Sequence, residues 1–541
     1  MTKNGHDSLP HVQSLLRSSI SSSERHVISQ YLENAQKDIR SHEIEINKLK
    51  AALLVLENER DRLMNRVAKY RSLLAPVHRL PTELLVHIFK YATECGDLKE
   101  QFTPTEAPRI VTLSMVCGRW RGITLSTPSL WSFINLWLFD WIYLTEIDDE
   151  GEYVYQIRDT EEISRLTRIL QLFLKRSQSI QLDLYLKFAL SHPMVDCETR
   201  AVGSVLDVLL PTASRWRSLT ILVSEGLSSD LPALSLFQNL PSLQHLSLPL
   251  IWSGIPIGGC ASMTSLCLGP SANPDMLLIP WHQIAKLHLT TFGRSVEWAL
   301  DTVRSCPGVE NLTLECVTPM VDPPINGPII SSRVTSFTIK GFYSLTGTGR
   351  ISAFQVFQVF SFPKLSTLAI CEDDINMGTN TFSDFLRRSA CTITHLTIQS
   401  SYRYGSKEDK DAIIPFLGLL PTLKALRLRE NPVSPTISER FNRNKIVSRA
   451  LLSRLSAHQR CDSDPLFLPH LTSLTLTVYG KDLDTEALIE AVTSRWLRAD
   501  SDTGINRLQT LNLELFDKFS PALEPLHYLR DAGLRVEVFG C

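Results

Sequence analysis

A short apolar motif recurs through the C-terminal part of this 541-residue chain. Each copy has the pattern apolar-x-x-apolar-x-apolar and often follows a proline. In a β-strand alternate side chains point to the same face, so the last two apolar residues of each copy point inward together. One such unit cannot bury its apolar side alone, and the units must therefore stack and share one elongated core. The copies begin at Leu243, Met263, Ile284, Val309, Val334, Leu365, Ile393, Leu423, Leu471 and Leu508, and looser copies begin earlier, at Ile180 and Trp216.

The spacing of these copies resembles that of leucine-rich repeats. From Leu243 onward, successive copies start 20, 21, 25 and 25 residues apart. The resemblance implies an α/β solenoid with a parallel sheet, and we assign it to residues 163–541. The Asn that caps the turn in regular repeats occurs only at Asn431, so we expect an irregular solenoid. Amphipathic return helices are predicted at Glu161–Arg176, Ser295–Arg304, Thr381–Arg388 and Thr485–Arg495.

A heptad pattern precedes the repeats. Between Ile28 and Leu74, twelve of fourteen seam positions are apolar, and only His42 and Arg60 interrupt the seam. This pattern predicts a coiled-coil helix over residues 24–75, about 70 Å long, with a parallel homodimer as the simplest source of a partner helix. The alternative is a helix folded back on the repeat region. The polar, Ser-rich residues 1–23 lack the apolar core of a signal peptide and are expected to be disordered.

Two further motifs lie between the heptads and the repeats. The first is the run Leu80-Pro81-Thr82-Glu83-Leu84-Leu85-Val86-His87-Ile88-Phe89, and the second is Val116-Cys117 followed by Trp120-Arg121, with Leu130-Trp131 after it. In this order the residues resemble an F-box, whose pattern is roughly LPxELLxxIF, VCxxWR and LW. The alternative is an amphipathic helical hairpin whose apolar residues fill only its own core.

The F-box resemblance implies a small all-α domain, assigned to residues 76–135, that docks on a Skp-type adaptor and through it on a cullin scaffold. Large fungal families of F-box proteins also begin with a coiled coil. The residues that the resemblance places against the adaptor are Leu80, Pro81, Glu83, Leu84, Ile88, Phe89, Val116, Trp120 and Leu125.

Composition argues against several other classes of protein. The 55 basic and 57 acidic residues give a net charge of −2, which supports neither a nucleic-acid partner nor an anionic membrane. The 11 cysteines form no CxxC pair and suit a reducing compartment, so a cytoplasmic or nuclear location is expected. The apolar segment Leu130–Leu144 is too short to span a bilayer and is predicted to contain a buried strand.

No motif of a metal site, a phosphate loop or a nucleophile with its base was found. We therefore expect no cofactor and no enzymatic activity, although an enzyme hidden in the irregular C-terminal third is an alternative. Residues 146–162 hold eight acidic residues and one arginine and are predicted to be a solvated linker, with an acidic docking strip as the alternative. The basic segment Ser438–Arg460 is predicted to be an amphipathic return helix, and a basic helix that grips an acidic partner is the other possibility.

Together these patterns predict a multidomain α/β chain that acts as the substrate-recognition subunit of an SCF-type cullin ubiquitin ligase. The alternative is a coiled-coil and repeat scaffold without a ligase role. Strand alternation places the residues between and after the inward leucines on the concave sheet surface, where a protein substrate would bind. The candidates are His288, Glu315, Lys340, Gln399, Arg427, Arg429, Asn512 and Glu514.

Overall fold

The structure is a computed structural model, and it describes most of the chain. The chain divides into two compact units, residues 1–85 and 86–541. Asn431, the predicted turn cap, lies outside the described residues. Of residues 1–23, which were predicted to be disordered, residues 1–19 also lie outside them. The described residues are 20–94, 102–147, 153–188, 196–223, 239–248, 257–269, 277–290, 296–315, 329–341, 356–372, 379–400, 411, 413–430, 446–457, 466–497, 505–517 and 523–540.

The first unit contains one long helix, α1, at Ser22–Leu73. Ser21 and Glu24 form a capping box at its start: the Glu24 N–H donates to Ser21 Oγ at 3.3 Å, and the Ser21 N–H donates to Glu24 Oε2 at 2.9 Å. These two bonds satisfy backbone donors that have no partner within a helix. Neither Pro nor Gly occurs between Ser22 and Leu73, so the 52-residue helix continues without interruption.

The predicted heptad seam lies on α1, and no side chain of this helix is buried. Ten of the twelve apolar seam residues are about half exposed or more. The predicted helix is therefore present, while its pairing in a coiled coil remains a prediction. The ten residues are Leu32, Ile39, Ile46, Leu49, Leu53, Leu56, Leu63, Val67, Tyr70 and Leu74.

Three helices form the segment predicted to be an F-box. They are α2 (Thr82–Glu94), α3 (Arg109–Val116) and α4 (Gly118–Ser126), and the second unit begins within α2. Cys117 separates α3 from α4 with an extended backbone, and its Sγ accepts the Trp120 N–H at 3.5 Å. Cys117 therefore caps the N-terminus of α4, so the chain ends one short helix and begins the next at a single residue.

Aromatic packing joins these helices to the sheet. Trp131 donates its Nε1–H to the Thr124 carbonyl at 2.7 Å and lies edge-on to Phe173, with ring centroids 5.0 Å apart. Phe102 packs on the other side of Phe173 at 4.7 Å. The helical segment and the sheet therefore share one core in the second unit.

Among the described residues, fourteen parallel strands form the large sheet. Their order is β1-β4-β5-β6-β8-β10-β11-β13-β15-β16-β17-β18-β19-β20. The ranges are β1 Phe133–Trp137, β4 Leu182–Phe188, β5 Trp216–Val223, β6 His245–Leu248, β8 Ser265–Leu268, β10 Lys286–Thr290, β11 Asn311–Glu315, β13 Ser336–Lys340, β15 Thr367–Glu372, β16 His395–Ser400, β17 Ala425–Glu430, β18 Ser473–Val478, β19 Thr510–Leu515 and β20 Arg535–Gly540.

Inward residues of neighbouring strands lie directly opposite one another. Leu287 pairs with Leu312, Leu312 with Phe337, and Phe337 with Leu368, and all four are at most 1% exposed. Each buried leucine contributes roughly 1.5–3 kcal/mol relative to an exposed one. The predicted parallel repeat sheet is confirmed, and it starts at β1, ahead of the range assigned from the repeat pattern.

A ladder of backbone carbonyls connects adjacent repeats just before their strands. The Ser366 carbonyl accepts the N–H groups of Thr394 and His395 at 2.9 and 3.0 Å, and the Thr394 carbonyl accepts those of Lys424 and Ala425 at 2.8 and 3.0 Å. Every carbonyl in this ladder accepts hydrogen bonds from two successive N–H groups of the next repeat. The backbone N–H groups at the start of each strand are therefore satisfied by main-chain carbonyls. The carbonyls belong to Gln244, Thr264, Ala285, Glu310, Thr335, Ser366, Thr394, Lys424 and Thr472.

Part of the predicted acidic linker is an antiparallel hairpin of β2 (Tyr143–Ile147) and β3 (Tyr153–Ile157). Phe139 packs against Tyr143 and Tyr155 at 4.9 and 5.4 Å, and the Tyr143 hydroxyl donates to Glu198 Oε1 at 3.0 Å. The alternating aromatic and aliphatic residues favour strands here despite the acidic composition. Leu130–Leu144 is apolar because residues such as Ile134, Leu136 and Trp141 lie in the core.

The remaining elements pack behind or beside the sheet. The four predicted return helices are present at α6, α8, α10 and α13. Within Ser438–Arg460 the described helix is α12, and its Leu451, Leu452 and Leu455 are buried. The ranges are α5 Phe139–Ile142, α6 Thr160–Arg176, α7 Asp196–Leu209, α8 Val296–Ser305, α9 Val356–Val359, α10 Thr379–Ser389, α11 Ile413–Gly418, α12 Arg449–Leu455, α13 Thr485–Leu497 and α14 Pro525–Asp531, with short strands β7 Ile257–Gly258, β9 Leu277–Leu278, β12 Ile329–Ile330 and β14 Phe360–Ser361.

A buried arginine holds the C-terminal repeats together. Arg495, on α13, is 3% exposed, and its guanidinium donates to the carbonyls of Leu455, Leu468 and Phe467. Leu468 has a positive φ of 47°, a strained conformation for a non-glycine residue. Burial lowers the pKa of Arg495 to about 10. The side chain remains charged near neutral pH and donates to three carbonyls outside the strands, of which the Leu468 carbonyl also accepts the Leu471 N–H at 3.3 Å.

We predict that Arg495→Met destabilises the chain by about 3 kcal/mol, because it removes the guanidinium donors to the carbonyls of Leu455 and Phe467 and one of the two donors to the Leu468 carbonyl. Urea unfolding followed by circular dichroism measures the effect. Arg530→Met, at an exposed position on α14, is the matched control and should change stability by less than about 0.5 kcal/mol. Equal stability of Arg495→Met and the control would contradict this account.

Candidate functional site

Four large apolar side chains of the second unit, on α2 and α3, are exposed to solvent. Ile88, Tyr91, Met115 and Val116 are between 48% and 72% exposed, and we call them the helical face. Covering these side chains with a partner would remove apolar surface from water and would therefore favour binding. Several exposed apolar residues on one small helical domain are typical of a protein interaction surface.

Buried contacts below the helical face hold α2 against α3 and α4. Phe89 is 1% exposed and packs against Trp120, with ring centroids 4.7 Å apart. Arg109 Nη1 donates to the Ala92 carbonyl at 3.2 Å, near the C-terminal end of α2. These contacts position the helices without using the side chains of the helical face.

The predicted adaptor residues fall into three groups by burial. Ile88 and Val116 are well exposed, as is Leu84, which precedes Ile88 by one helical turn; Pro81 and Glu83 are also exposed. Leu80, Trp120 and Leu125 are half-buried. Phe89 differs from the prediction, because it lies beside Trp120 in the interior and has no surface to offer a partner.

Residues 77–137 match the family model described as F-box-like. The chain therefore carries an F-box-like domain. This match includes α2, α3, α4 and the first strand of the sheet, β1.

Two further comparisons add little to this assignment. A comparison with curated proteins finds no match. A crystal structure of a Bacteroides fragilis protein, from the Northeast Structural Genomics Consortium, is similar at 11% identity and a TM-score of 0.26, covering 73% of this chain and 87% of that one. That similarity is too low to support an argument.

The second candidate surface is the outward face of the large sheet. The register places the predicted substrate residues in two parallel rows that run across the strands. The first row, between the inward residues, contains His288, Arg427 and Asn512. The second row, after them, contains Glu315, Lys340, Gln399, Arg429 and Glu514.

Three of the predicted residues form a charged network. His288 Nε2 lies 2.7 Å from Glu315 Oε2, and Lys340 Nζ donates to the same oxygen at 3.4 Å. Burial lowers the pKa of His288, but hydrogen bonds to Cys267 and Glu315 outweigh it and raise the pKa to about 9. The hydrogen bond from His288 lowers the pKa of Glu315, against the effect of burial. At neutral pH the network therefore holds an imidazolium, a carboxylate and an ammonium group.

The other predicted residues lie farther along the two rows. Gln399 Oε1 accepts a weak bond from Cys371 Sγ at 3.9 Å, whereas Arg427 and Arg429 are exposed. Glu514 accepts a hydrogen bond from Thr477 Oγ1 at 2.9 Å. Buried Oδ1 of Asn512 has no hydrogen-bond partner among the described residues.

The sequence analysis omitted four residues of these surfaces. Cys267 and Cys371 occupy outward positions beside His288 and Gln399, and the leucines around Cys267 were the signal that would have placed it. Tyr91 and Met115 belong to the helical face. Leu84, Ile88 and Tyr91 stand at i, i+4 and i+7, so the period of the helix predicts that Tyr91 shares this apolar face, although Tyr91 is not among the predicted adaptor residues.

In the described residues, no three His, Cys, Asp or Glu side chains are grouped so that they could hold a metal ion. Within the same ranges, no helix combines the length and the hydropathy required to cross a lipid bilayer.

We predict a pH-dependent contribution of His288 to stability. Because its pKa rises from the ordinary value of 6.5 to about 9 on folding, this contribution is complete below about pH 6.5 and is lost as the pH rises through 9. The loss of thermal stability caused by His288→Gln should be large at pH 6 and small at pH 10. Thermal unfolding of the exposed-site control His282→Gln should show no such difference, and a pH-independent effect of His288→Gln would refute the prediction.

Proposed function

We propose that this chain is the substrate-recognition subunit of an SCF-type cullin ubiquitin ligase, of the kind found in fungal F-box families. The observation that carries the proposal is the exposed apolar helical face on the F-box-like domain. F-box domains generally bind Skp-type adaptors, and the helical face is the surface that such an adaptor would cover. The adaptor then links the chain to a cullin scaffold.

In this proposal the outward face of the sheet binds a protein substrate in the cytoplasm or the nucleus. The chain supplies proximity and orientation and contributes no bond-making residue of its own. Holding a lysine of the substrate near a ubiquitin-loaded enzyme converts a bimolecular encounter into an effectively intramolecular reaction. The shared core of helices and sheet supports this role, because it joins the two candidate surfaces in one compact unit.

The double variant Ile88→Asp, Val116→Asp tests adaptor binding by the full chain. Both residues are exposed, so the variant should fold while two charges enter the apolar contact. We expect binding to a purified Skp-type adaptor, measured by isothermal titration calorimetry, to weaken at least 100-fold. Phe89 is left unchanged because its replacement would disrupt the interior.

The matched control is Leu278→Asp, Ile330→Asp, which places the same charges at exposed apolar positions on β9 and β12. The control should bind the adaptor as the unmodified chain does, and circular dichroism should be unchanged for both variants. Undiminished binding by Ile88→Asp, Val116→Asp would favour a scaffold without a ligase role.

We further propose that α1 pairs with a second copy of the chain in a parallel coiled coil. The support is the heptad seam, whose large apolar residues are exposed in the single chain. Burying this seam in a dimer would remove it from water, while His42 and Arg60 would set the register at some cost in stability. Paired substrate sites would then gain affinity through effective concentration.

Analytical ultracentrifugation of the full chain at micromolar concentration tests the dimer. Leu49→Asp, Leu53→Asp places two charges in the seam and should produce a monomer. Leu54→Asp, Val55→Asp places the same charges at exposed apolar positions outside the seam and should leave the dimer intact. A monomeric unmodified chain would rule out the pairing.

A further inference from the structure

Cationic residues accumulate on the outward face of four consecutive strands, β13, β15, β16 and β17. The outward positions of these strands hold Lys340, Arg427 and Arg429 and no acidic residue. The whole chain has a net charge of −2, so this excess is local. Carboxylates stand at outward positions farther along the sheet, at Glu315 on β11, which is next to β13, and at Glu514 on β19, which is two strands beyond β17.

The strand register sets the spacing of these cations. Lys340, Cys371, Gln399 and Arg429 lie directly opposite one another in the second row. Lys340 and Arg429 are therefore three strand spacings apart, about 14 Å. An extended peptide rises about 3.4 Å per residue, so this distance corresponds to about four residues.

The first row offers space beside the cations. Thr338, Ala369 and Thr397 occupy it on three successive strands, and Arg427 follows on the fourth. Short side chains at these positions leave room for a peptide main chain to approach the sheet. The threonine hydroxyls also provide hydrogen-bonding groups for such a main chain.

The two arginines have charge available for a partner. Arg427 and Arg429 are exposed, and no described residue forms an ion pair with either of them. Lys340 is paired with Glu315 at 3.4 Å, and its side chain is 38% exposed. Cys371 lies between Lys340 and Arg429 in the second row. Burial raises the pKa of its thiol, the positive charges of Lys340 and Arg429 lower it, and the charge of Glu315 raises it. A planar guanidinium group binds carboxylate or phosphate oxygens in a bidentate manner, which suits an anionic ligand.

We propose that Lys340, Gln399, Arg427 and Arg429, here named the cationic strip, bind a peptide segment that carries two anionic groups about four residues apart. Charge complementarity selects this class of partner. That the segment belongs to a ubiquitination substrate rests on the proposed function, whereas the binding itself does not. The anionic groups are phosphoserines or acidic side chains, because both have two oxygens that can accept hydrogen bonds from one guanidinium group.

Fluorescence anisotropy with the full chain tests the proposal in the absence of any adaptor. The probes are three labelled decapeptides of Gly and Ala that carry two phosphoserines, two glutamates or two serines at positions four apart. We expect the serine peptide to bind at least tenfold more weakly than the better anionic peptide. Arg427→Glu, Arg429→Glu should remove this preference, and raising the salt concentration should weaken binding.

The control Arg530→Glu, Arg535→Glu makes the same change in net charge at exposed positions on α14 and β20, and it should bind as the unmodified chain does. If only the phosphoserine peptide binds more tightly than the serine peptide, the anionic groups of the partner are phosphates. If the glutamate peptide binds as tightly as the phosphoserine peptide, acidic side chains are sufficient. Equal binding of all three peptides, or full binding by Arg427→Glu, Arg429→Glu, would overturn the proposal. Because no adaptor is present, failure here leaves the adaptor experiment unaffected.

Discussion

Burial of the inward side of each strand against its neighbours is the interaction on which the second unit depends. A single repeat exposes two or three apolar side chains that it cannot cover by itself. Direct pairing of Leu287, Leu312 and Phe337 across β10, β11 and β13 shows how stacking removes these side chains from water. Once the inward side is buried, the outward side is free to vary, and it holds most of the charged residues that a partner would meet.

The same core explains why residues 86–137 of the F-box-like domain belong to one compact unit with the sheet. Phe173, on a return helix, contacts both Trp131 and Phe102, which lies in the connection between α2 and α3. The Arg165 side chain adds a hydrogen bond from Nη1 to the Pro104 carbonyl at 2.9 Å. Buried aromatic rings and this hydrogen bond therefore join the two parts of the second unit.

Much of this fold was predictable from local pattern, because the inward leucines report strand positions directly. The copies beginning at Leu243 and Leu423, for example, precede β6 and β17 at the expected offset. The acidic count misled the interpretation of residues 146–162, where the aromatic packing of Tyr143 and Tyr155 supports strands. The helical face was only partly predictable. A family pattern records that Phe89 is apolar, but not that Trp120 covers it. Long-range contacts such as those of Arg495 leave no periodic signal in the sequence.

The carbonyl ladder has a consequence for how such a protein diversifies. The bonds from Ser366 and Thr394 to the next repeat use only main-chain atoms, and every residue except proline supplies the N–H groups they require. Substitutions at the outward positions therefore leave the connection between repeats intact. Repeats of unequal length are tolerated for the same reason, as in the interval between β17 and β18. Descendants of one ancestral gene can thus acquire new binding preferences through surface changes, without having to evolve a new scaffold each time.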